Sequence, residues 1–504
     1  MATFAAVDIG SNSVRLKIAR PVRQRLHVLH EDREVTRLGE GVFRTGFLEP
    51  TAIAHTVKVL RRFHRAAQQF GANVVRVVAT SALRDARNSS AFVDWVRSAT
   101  GWQVEIISGL EEGRLIHLGV MSGTRTARSR VLLIDLGGGS CELTMSVSGQ
   151  IHQMVSLPIG AVRLTQEFLR RDPPKKKEVE RLQEFVSEEV SRVERRIAAA
   201  RPQMVIATSG TAAALASLVA ARKKRRVSGV VAAAVVHELA RELPRRTLAE
   251  RIAMPGIGPR RAEIIIAGVM VFDELMARGL SSFRYSPLGL RDGLLAQMVA
   301  EHGGTQIQKQ IESERWNALL STVRHYGVDS RFARQVREMV QRLFTGLKRL
   351  HDLPPEYEQW LVAAAMLHEV GNYINRAGRH RHAYYIISNS EIFGYTIAQR
   401  LVIAAIARYM GKSRPSAADR ALKPLSLEER EHVPKAVALL RIARALDQGR
   451  RGAVTAVTPQ LRDGDVVLKL TTKRGGASLE MWALEKERDY FKSVFGRELV
   501  GVAS

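Results

Sequence analysis

Two stretches of this chain share one unusual grammar. Residues 132–146, LLIDLGGGSCELTMS, place an apolar run, an aspartate, a string of glycines and an alternating run in order. Leu132, Leu133 and Ile134 read as a buried strand that Asp135 ends. Cys141, Leu143 and Met145 then alternate with Glu142 and Thr144 in a second strand. A hairpin turn needs one or two glycines at most. Gly137, Gly138 and Gly139 together imply that something must approach bare backbone. AAVDIGSNSVRLKI, from residue 5, aligns with this segment: Asp8 falls on Asp135, Gly10 on Gly137, Ser13 on Ser140 and Arg15 on Glu142. Two copies 127 residues apart predict two similar domains facing one another. Each turn would present a row of backbone N–H groups, an anion nest, with an aspartate at its mouth to hold a cation or a water. Two ordinary hairpins are the plainer alternative, but neither turn has the short Asn-Gly or Asp-Gly form.

Further turns of the same chemical kind lie between and after the copies. VVRVVATSALRDA reads as a strand over 74–79, then Thr80 and Ser81, with Arg84 placed to fork onto phosphate oxygens or to pair with Asp85. MVIATSGTAAALASLVA reads as a strand over 204–208, then Ser209, Gly210 and Thr211 opening an alanine-rich helix. Its N-terminus suits an anion, and Ser209 or Thr211 suits a cap. In EIISGLEEGRLIHLGV a helix begins near Gly109. Ser108 and Glu111 have capping-box spacing, which accounts for Glu111 structurally. Glu112 has no such account. A carboxylate beside a phosphate site can orient and deprotonate a water, and an ion pair with a nearby arginine is the equal alternative.

Charge narrows the partners. The 77 Lys and Arg against 50 Asp and Glu leave a net +27, a field that attracts polyanions. Nucleic acid is the usual candidate, but aromatics are only 6%, with no zinc-finger spacing and no aromatic stacking motif, so no specific nucleic-acid partner is expected. Inorganic polyphosphate and nucleotides stay open. No apolar run reaches membrane-spanning length, and the N-terminus enters a strand without a signal-peptide pattern. A single cysteine, Cys141, excludes an intrachain disulfide and fits a cytoplasmic location.

With these pieces in order, the chain resembles the exopolyphosphatase/guanosine pentaphosphate phosphohydrolase (Ppx/GppA) family of the sugar-kinase, actin and heat-shock-chaperone superfamily. The matching stretches are DIGSNS at 8, ATSALRDARN at 79, ISGLEEGRLIHLGV at 107, LIDLGGGSCEL at 133, SLPIGAVRLTQEF at 156 and ATSGTAAAL at 207. The resemblance implies an α/β fold with two ribonuclease-H-like domains, 1–124 and 125–303, and an active site in the cleft between them. It implies that Glu112 activates the attacking water, with Glu111 as the second catalytic candidate, and that Asp135 and Glu142 hold Mg²⁺. Asp8, Gly10, Ser11, Asn12 and Ser13 would form one phosphate loop and Gly137, Gly138, Gly139 and Ser140 the other. Arg84 would hold a phosphate, and Ser209, Gly210 and Thr211 would line the far wall. Cys141 departs from the family's usual Thr, which reads as a packing change, with an oxidation-sensitive loop as the lesser alternative.

The second half reads as amphipathic helices, with buried-looking stretches over 357–369, 380–410 and 435–447. By resemblance, 304–450 is an HD-type helical domain with a degenerate metal site. Phe332 stands where the first His would be, Glu369 replaces the Asp of the His-Asp pair after His368, and Asp447 remains. His368, His380 and His382 could bind phosphate or line a channel, or simply pack. Residues 451–504 read as a small α/β domain: strand, Asp-Gly turn, strand, Gly-Gly turn, strand, helix. The basic runs ARKKRRV at 221–227 and PPKKKE at 173–178 read as solvated loops unless they border the cleft. The expected activity is release of terminal phosphate from inorganic polyphosphate. Conversion of guanosine pentaphosphate, a stringent-response alarmone, is the runner-up, followed by a kinase or ATPase of the same superfamily and a non-catalytic sensor. A homodimer is implied by resemblance alone.

Overall fold

The computed structural model describes residues 2–22, 25–122, 129–223, 229–303, 306–390, 392–416, 418–462 and 464–503. Most of the basic run at 221–227, and Asp463 of the Asp-Gly turn, lie outside them. The chain forms two compact units, Met1–Glu312 and Ser313–Ser504.

The first unit holds two sheets of one design. Sheet I contains β1 (Phe4–Ile9), β2 (Val14–Val22), β3 (Arg25–Glu34), β4 (Val74–Ala79) and β5 (Val104–Ile106), in the order β3-β2-β1-β4-β5. Sheet II contains β6 (Arg130–Leu136), β7 (Cys141–Val147), β8 (Gln150–Leu157), β9 (Met204–Thr208), β10 (Val230–Ala232) and β11 (Ser282–Tyr285), in the order β10-β11-β9-β6-β7-β8. In both, the first three strands are antiparallel and the next runs parallel to the first, the ribonuclease-H-like arrangement. Sheet II differs by its antiparallel edge strand β10.

Helices α1 (Gly109–Ser122), α2 (Ser209–Lys223) and α3 (Leu290–Gly303) place the chemistry. Helix α1 follows sheet I in the chain but packs on β7 and β8 of sheet II, while α3 follows sheet II but packs on β1. The two helices cross with backbones in contact. A Cβ at Gly293 would overlap the Leu115 carbonyl, and one at Gly119 would lie 2.5 Å from the Gly289 carbonyl oxygen. Leu115, Ile116 and Val120 of α1 and Leu294, Leu295 and Met298 of α3 then join Phe4 and Leu133 in one apolar cluster spanning both sheets.

His117 sits in this spine, fully buried, with neither ring nitrogen hydrogen-bonded. Burial, then the Arg114 charge, lowers its pKa to about 4. The unfolded chain, with an ordinary histidine near 6.5, therefore binds the proton first. Stability is expected to fall as pH drops from about 6.5 toward 4, by about 2 kcal/mol at pH 5 from this group. His117→Leu should flatten that part of the urea-midpoint-against-pH curve. An unchanged slope would refute the assignment.

In the second unit, helices α4 (Ser330–Gly346), α5 (Glu356–Leu367), α6 (Arg379–Asn389), α7 (Ile397–Arg408) and α8 (Leu427–Ala445) share one core. Strands β12 (Val454–Arg462), β13 (Asp465–Thr472) and β14 (Leu499–Ala503) form a small sheet. The expected order of strand then helix after Gly475–Gly476 is corrected here. Helices Ser478–Glu485 and Arg488–Phe495 come first and β14 last. Strand β14 pairs parallel to β13, and a parallel neighbour needs a crossover rather than a turn. Among the described residues no helix is long and apolar enough to cross a membrane.

Candidate active site

The twin hairpins are built alike to the level of single hydrogen bonds. Asp8 is register partner to Arg15 across β1–β2, and Asp135 to Glu142 across β6–β7. Each turn is closed by the same bond, Gly10 N–H to Ser13 O at 3.2 Å and Gly137 N–H to Ser140 O at 2.9 Å. Each is latched from behind: Gly39 N–H donates to Ser11 O, and Val162 N–H donates to Gly138 O, both at 2.7 Å. Two of the three glycines have a steric reason. A Cβ at Gly138 would lie 3.0 Å from the Ser11 Cβ of the opposite turn. One at Gly139 would overlap Ser81 Oγ and lie 2.5 Å from Phe43 Cζ, whereas one at Gly137 meets only Ser140 O at 3.3 Å. Gly139→Ala is expected to cost about 1–3 kcal/mol by overpacking, and Gly137→Ala much less. Equal urea midpoints for the two variants would contradict this.

Three carboxylates converge between the turns. Glu112, Asp135 and Glu142 each offer an oxygen within 4.8 Å of the others. Glu112 reaches this point because α1 sits unusually close to sheet II. A Cβ at Gly109 would overlap Ser156 Oγ, and one at Gly113 would touch Thr144 Oγ1 at 3.2 Å. The same approach buries Glu142, Thr144 and Ser146 on the β7 face that simple alternation leaves to solvent. Glu142 Oε1 accepts from Ser156 Oγ at 2.8 Å, Asp135 accepts from Thr208 Oγ1, and the Oε2 atoms of Glu112 and Glu142 lack hydrogen-bond partners. Burial and then the Glu142 charge push the Glu112 pKa well up, with Arg84 opposing. Burial and then Asp135 push Glu142 up. Orphaned carboxylate oxygens in an all-oxygen donor set fit a hard divalent cation such as Mg²⁺, which would draw these pKa values back down.

Glu111 points elsewhere. Its amide donates to Ser108 Oγ at 3.1 Å, half of the expected capping box. Its carboxylate makes a bidentate pair with the buried Arg114 at 2.8 Å. Arg84 donates to Ile107 O at 2.8 Å and stands 3.6 Å from Glu112 Oε2, while Asp85 pairs with Arg163 instead.

A cavity of about 240 Å³ opens in front of these groups. Its lining includes Asp8, Gly10, Ser11, Asn12 and Ser13 of the first turn and Gly137 and Gly138 of the second. Glu112, Asp135, Ser209 and Gly210 also reach it. Gly139, Ser140, Glu142 and Thr211 stand behind the lining. Thr211 is fully buried against Gly268, and Ser209 Oγ donates to Leu136 O at 2.6 Å. Ser11 Oγ and Asn12 Nδ2 have no hydrogen-bond partner.

Sequence reasoning missed the other wall. Arg15, Arg33, Arg261 and Arg291 line the cavity with Tyr285. Burial, then the neighbouring arginines, lowers Arg261 to about 9 and Arg33 to about 10. Gly210 makes room for this wall, since a Cβ there would overlap the Arg261 guanidinium. Only Arg15 carried a signal, as the counterpart of Glu142 in the repeat. The basic run PPKKKE is not part of the lining and leads into the helix Lys176–Ser191.

In the second unit, the Phe332 ring centroid lies 5.7 Å from that of His368. Arg450 stacks 4.2 Å over Phe332 and pairs with Glu369, while Asp447 accepts from Gly452 N–H at 2.8 Å. His368 is buried, with Nδ1 on Ala365 O, and burial lowers its pKa to about 4. His380 and His382 lie on α6.

A sequence model of the Ppx/GppA phosphatase family matches residues 17–302, and one of that family's domain III matches residues 315–489. Among solved structures, an exopolyphosphatase from Cytophaga hutchinsonii ATCC 33406 is similar with a TM-score of 0.56 at 24% identity, over 59% of this chain and 98% of its own. The Ppx/GppA family member of Aquifex aeolicus is similar with a TM-score of 0.52 at 30% identity, over 60% of this chain and 99% of its own. An exopolyphosphatase-like protein gives 0.55 at 29% identity, over 59% and 98%.

Proposed function

This chain belongs to the Ppx/GppA phosphatase family, and from that premise we propose that it releases orthophosphate from the end of inorganic polyphosphate. The observation that carries the choice of substrate is the cavity: about 240 Å³, with arginines on one wall and carboxylates on the other. That volume is below the roughly 300–1,000 Å³ usual for drug-sized ligands. It suits the last phosphates of a thin chain better than a purine nucleoside with its phosphates.

The arginines and the bare turns bind and orient the chain end, each neutralising phosphoryl oxygens in a site shielded from bulk water. Ser11 and Asn12 offer unpartnered donors to the same oxygens. Glu112 aligns a water in line with the terminal phosphorus and accepts its proton. The P–O bond to the bridging oxygen breaks, and that oxygen leaves on the shortened chain. Asp135 and Glu142 would hold Mg²⁺, which supplies positive charge to the transferring phosphoryl group. Arg84 keeps Glu112 aimed and opposes its protonation.

The test compares phosphate release from long-chain polyphosphate and from guanosine pentaphosphate, each with Mg²⁺ and with chelator. A higher kcat/KM on polyphosphate is expected. Preference for the nucleotide would overturn the choice of substrate, and release that ignores chelator would overturn the metal assignment.

A further inference from the structure

Sheet II has a second end. Asp135, Thr208 and Tyr285 mark the end that faces the acidic cleft. At the other, β6 begins at Arg130, β9 at Met204 and β11 at Ser282, and these starts surround another cavity of about 560 Å³. Asp135 lies five residue steps along β6 from Arg130, or about 16 Å at ~3.3 Å per residue. No single phosphate group can touch both.

Four arginines line this second cavity, Arg130, Arg201, Arg278 and Arg284, and among the described residues no carboxylate does. Arg278 is anchored by Glu274 at 2.5 Å and Glu194 at 3.0 Å. The other three make no ion pair among the described residues. Like charges without acid partners repel one another, and a bound anion offsets the repulsion among these three.

The backbone gives an independent sign. Arg201 closes the helix Glu194–Ala200 in the left-handed region, with φ 41° and ψ 61°. Glycine takes this capping conformation without strain, and a side chain with a Cβ does not. The helix could end at lower cost without an arginine. A strained position that nonetheless holds an arginine in the lining of this cavity points to use of that residue.

We propose that this cavity is a second anion site, separate from the acidic cleft, for a compact oligophosphate bearing several phosphoryl groups. Guanidinium forks match phosphate oxygens in pairs, and the three without a carboxylate partner suit several linked phosphates better than one carboxylate. The inference holds whichever substrate the acidic cleft takes.

The probe is inorganic tripolyphosphate, titrated calorimetrically into the full chain carrying Glu112→Gln so that it is not consumed. Two binding events are expected. Adding Arg130→Ser and Arg284→Ser should remove one event and leave the other. On the Glu112 background the same pair should leave kcat unchanged. Arg201→Gly should weaken the second event about tenfold, the loss of one charge-assisted contact, while its melting temperature holds or rises because the strain is gone. Orthophosphate alone should bind this site much more weakly than tripolyphosphate. No binding event that is lost with Arg130→Ser and Arg284→Ser, or full affinity in Arg201→Gly, overturns the proposal. Failure of the cleft assignment would instead leave the Arg130/Arg284-sensitive event intact.

Discussion

Exchanging Glu112 for Gln is expected to lower kcat for phosphate release by about 10²–10⁴-fold, the usual worth of a positioned general base, and to leave KM within a few-fold. The side chains have the same shape, so the cavity should be unchanged. What goes is a carboxylate oxygen without a hydrogen-bond partner, 3.6 Å from Arg84. The variant should not be less stable. Burial and the neighbouring Glu142 already disfavour charge at Glu112, so a neutral amide there relieves repulsion. Glu111→Gln gives the contrasting result. It breaks a bidentate pair with an arginine only 1% exposed, which should cost about 3–5 kcal/mol of stability, while folded molecules keep their kcat. Near-normal turnover in Glu112→Gln, or a lost kcat with unchanged stability in Glu111→Gln, would reverse the two roles.

The twin hairpins were legible because period-two alternation around a glycine turn is a local signal, and the repeat supplied a second reading of it. The three converging carboxylates were legible through family resemblance, since they come from separate segments, two on adjacent strands and one on α1. No spacing rule brings position 112 to position 142. That depends on Gly109 and Gly113 letting a helix settle onto β7, and glycines inside a helix look like a weakness until the neighbouring sheet is seen. The arginine wall was illegible for the same reason. Arg33 comes from an edge strand, Arg261 from a short turn of helix and Arg291 from the start of α3. In a chain with 77 Lys and Arg, nothing local sets these apart. The final parallel strand was misread because a crossover is a long-range demand, whereas the Gly-Gly turn before it is a local one.

Removing two of those arginines is expected to move binding and stability in opposite directions. Each charge-assisted contact is worth about 1.5–3 kcal/mol, so Arg15→Ala with Arg261→Ala should raise KM for polyphosphate by roughly 10²–10⁴-fold. The change in kcat should be far smaller, because the groups that activate water stay in place. Without an anion, the wall works against the fold. Burial, then Arg15 and Arg33, holds the Arg261 pKa at about 9, well below that of an ordinary guanidinium. The unfolded chain therefore binds that proton more tightly, and stability at neutral pH carries a cost on the order of a few kcal/mol. The cost recedes only as pH rises past about 9, where the folded arginine gives up its proton before the unfolded one does. At pH 7.5 the double variant should thus unfold at higher urea than the parent, and tripolyphosphate should stabilise the parent more than the variant. Its KM should also depend less on salt, with two charges fewer to screen. A variant that unfolds earlier while keeping its KM would mean that these arginines serve the fold rather than the substrate.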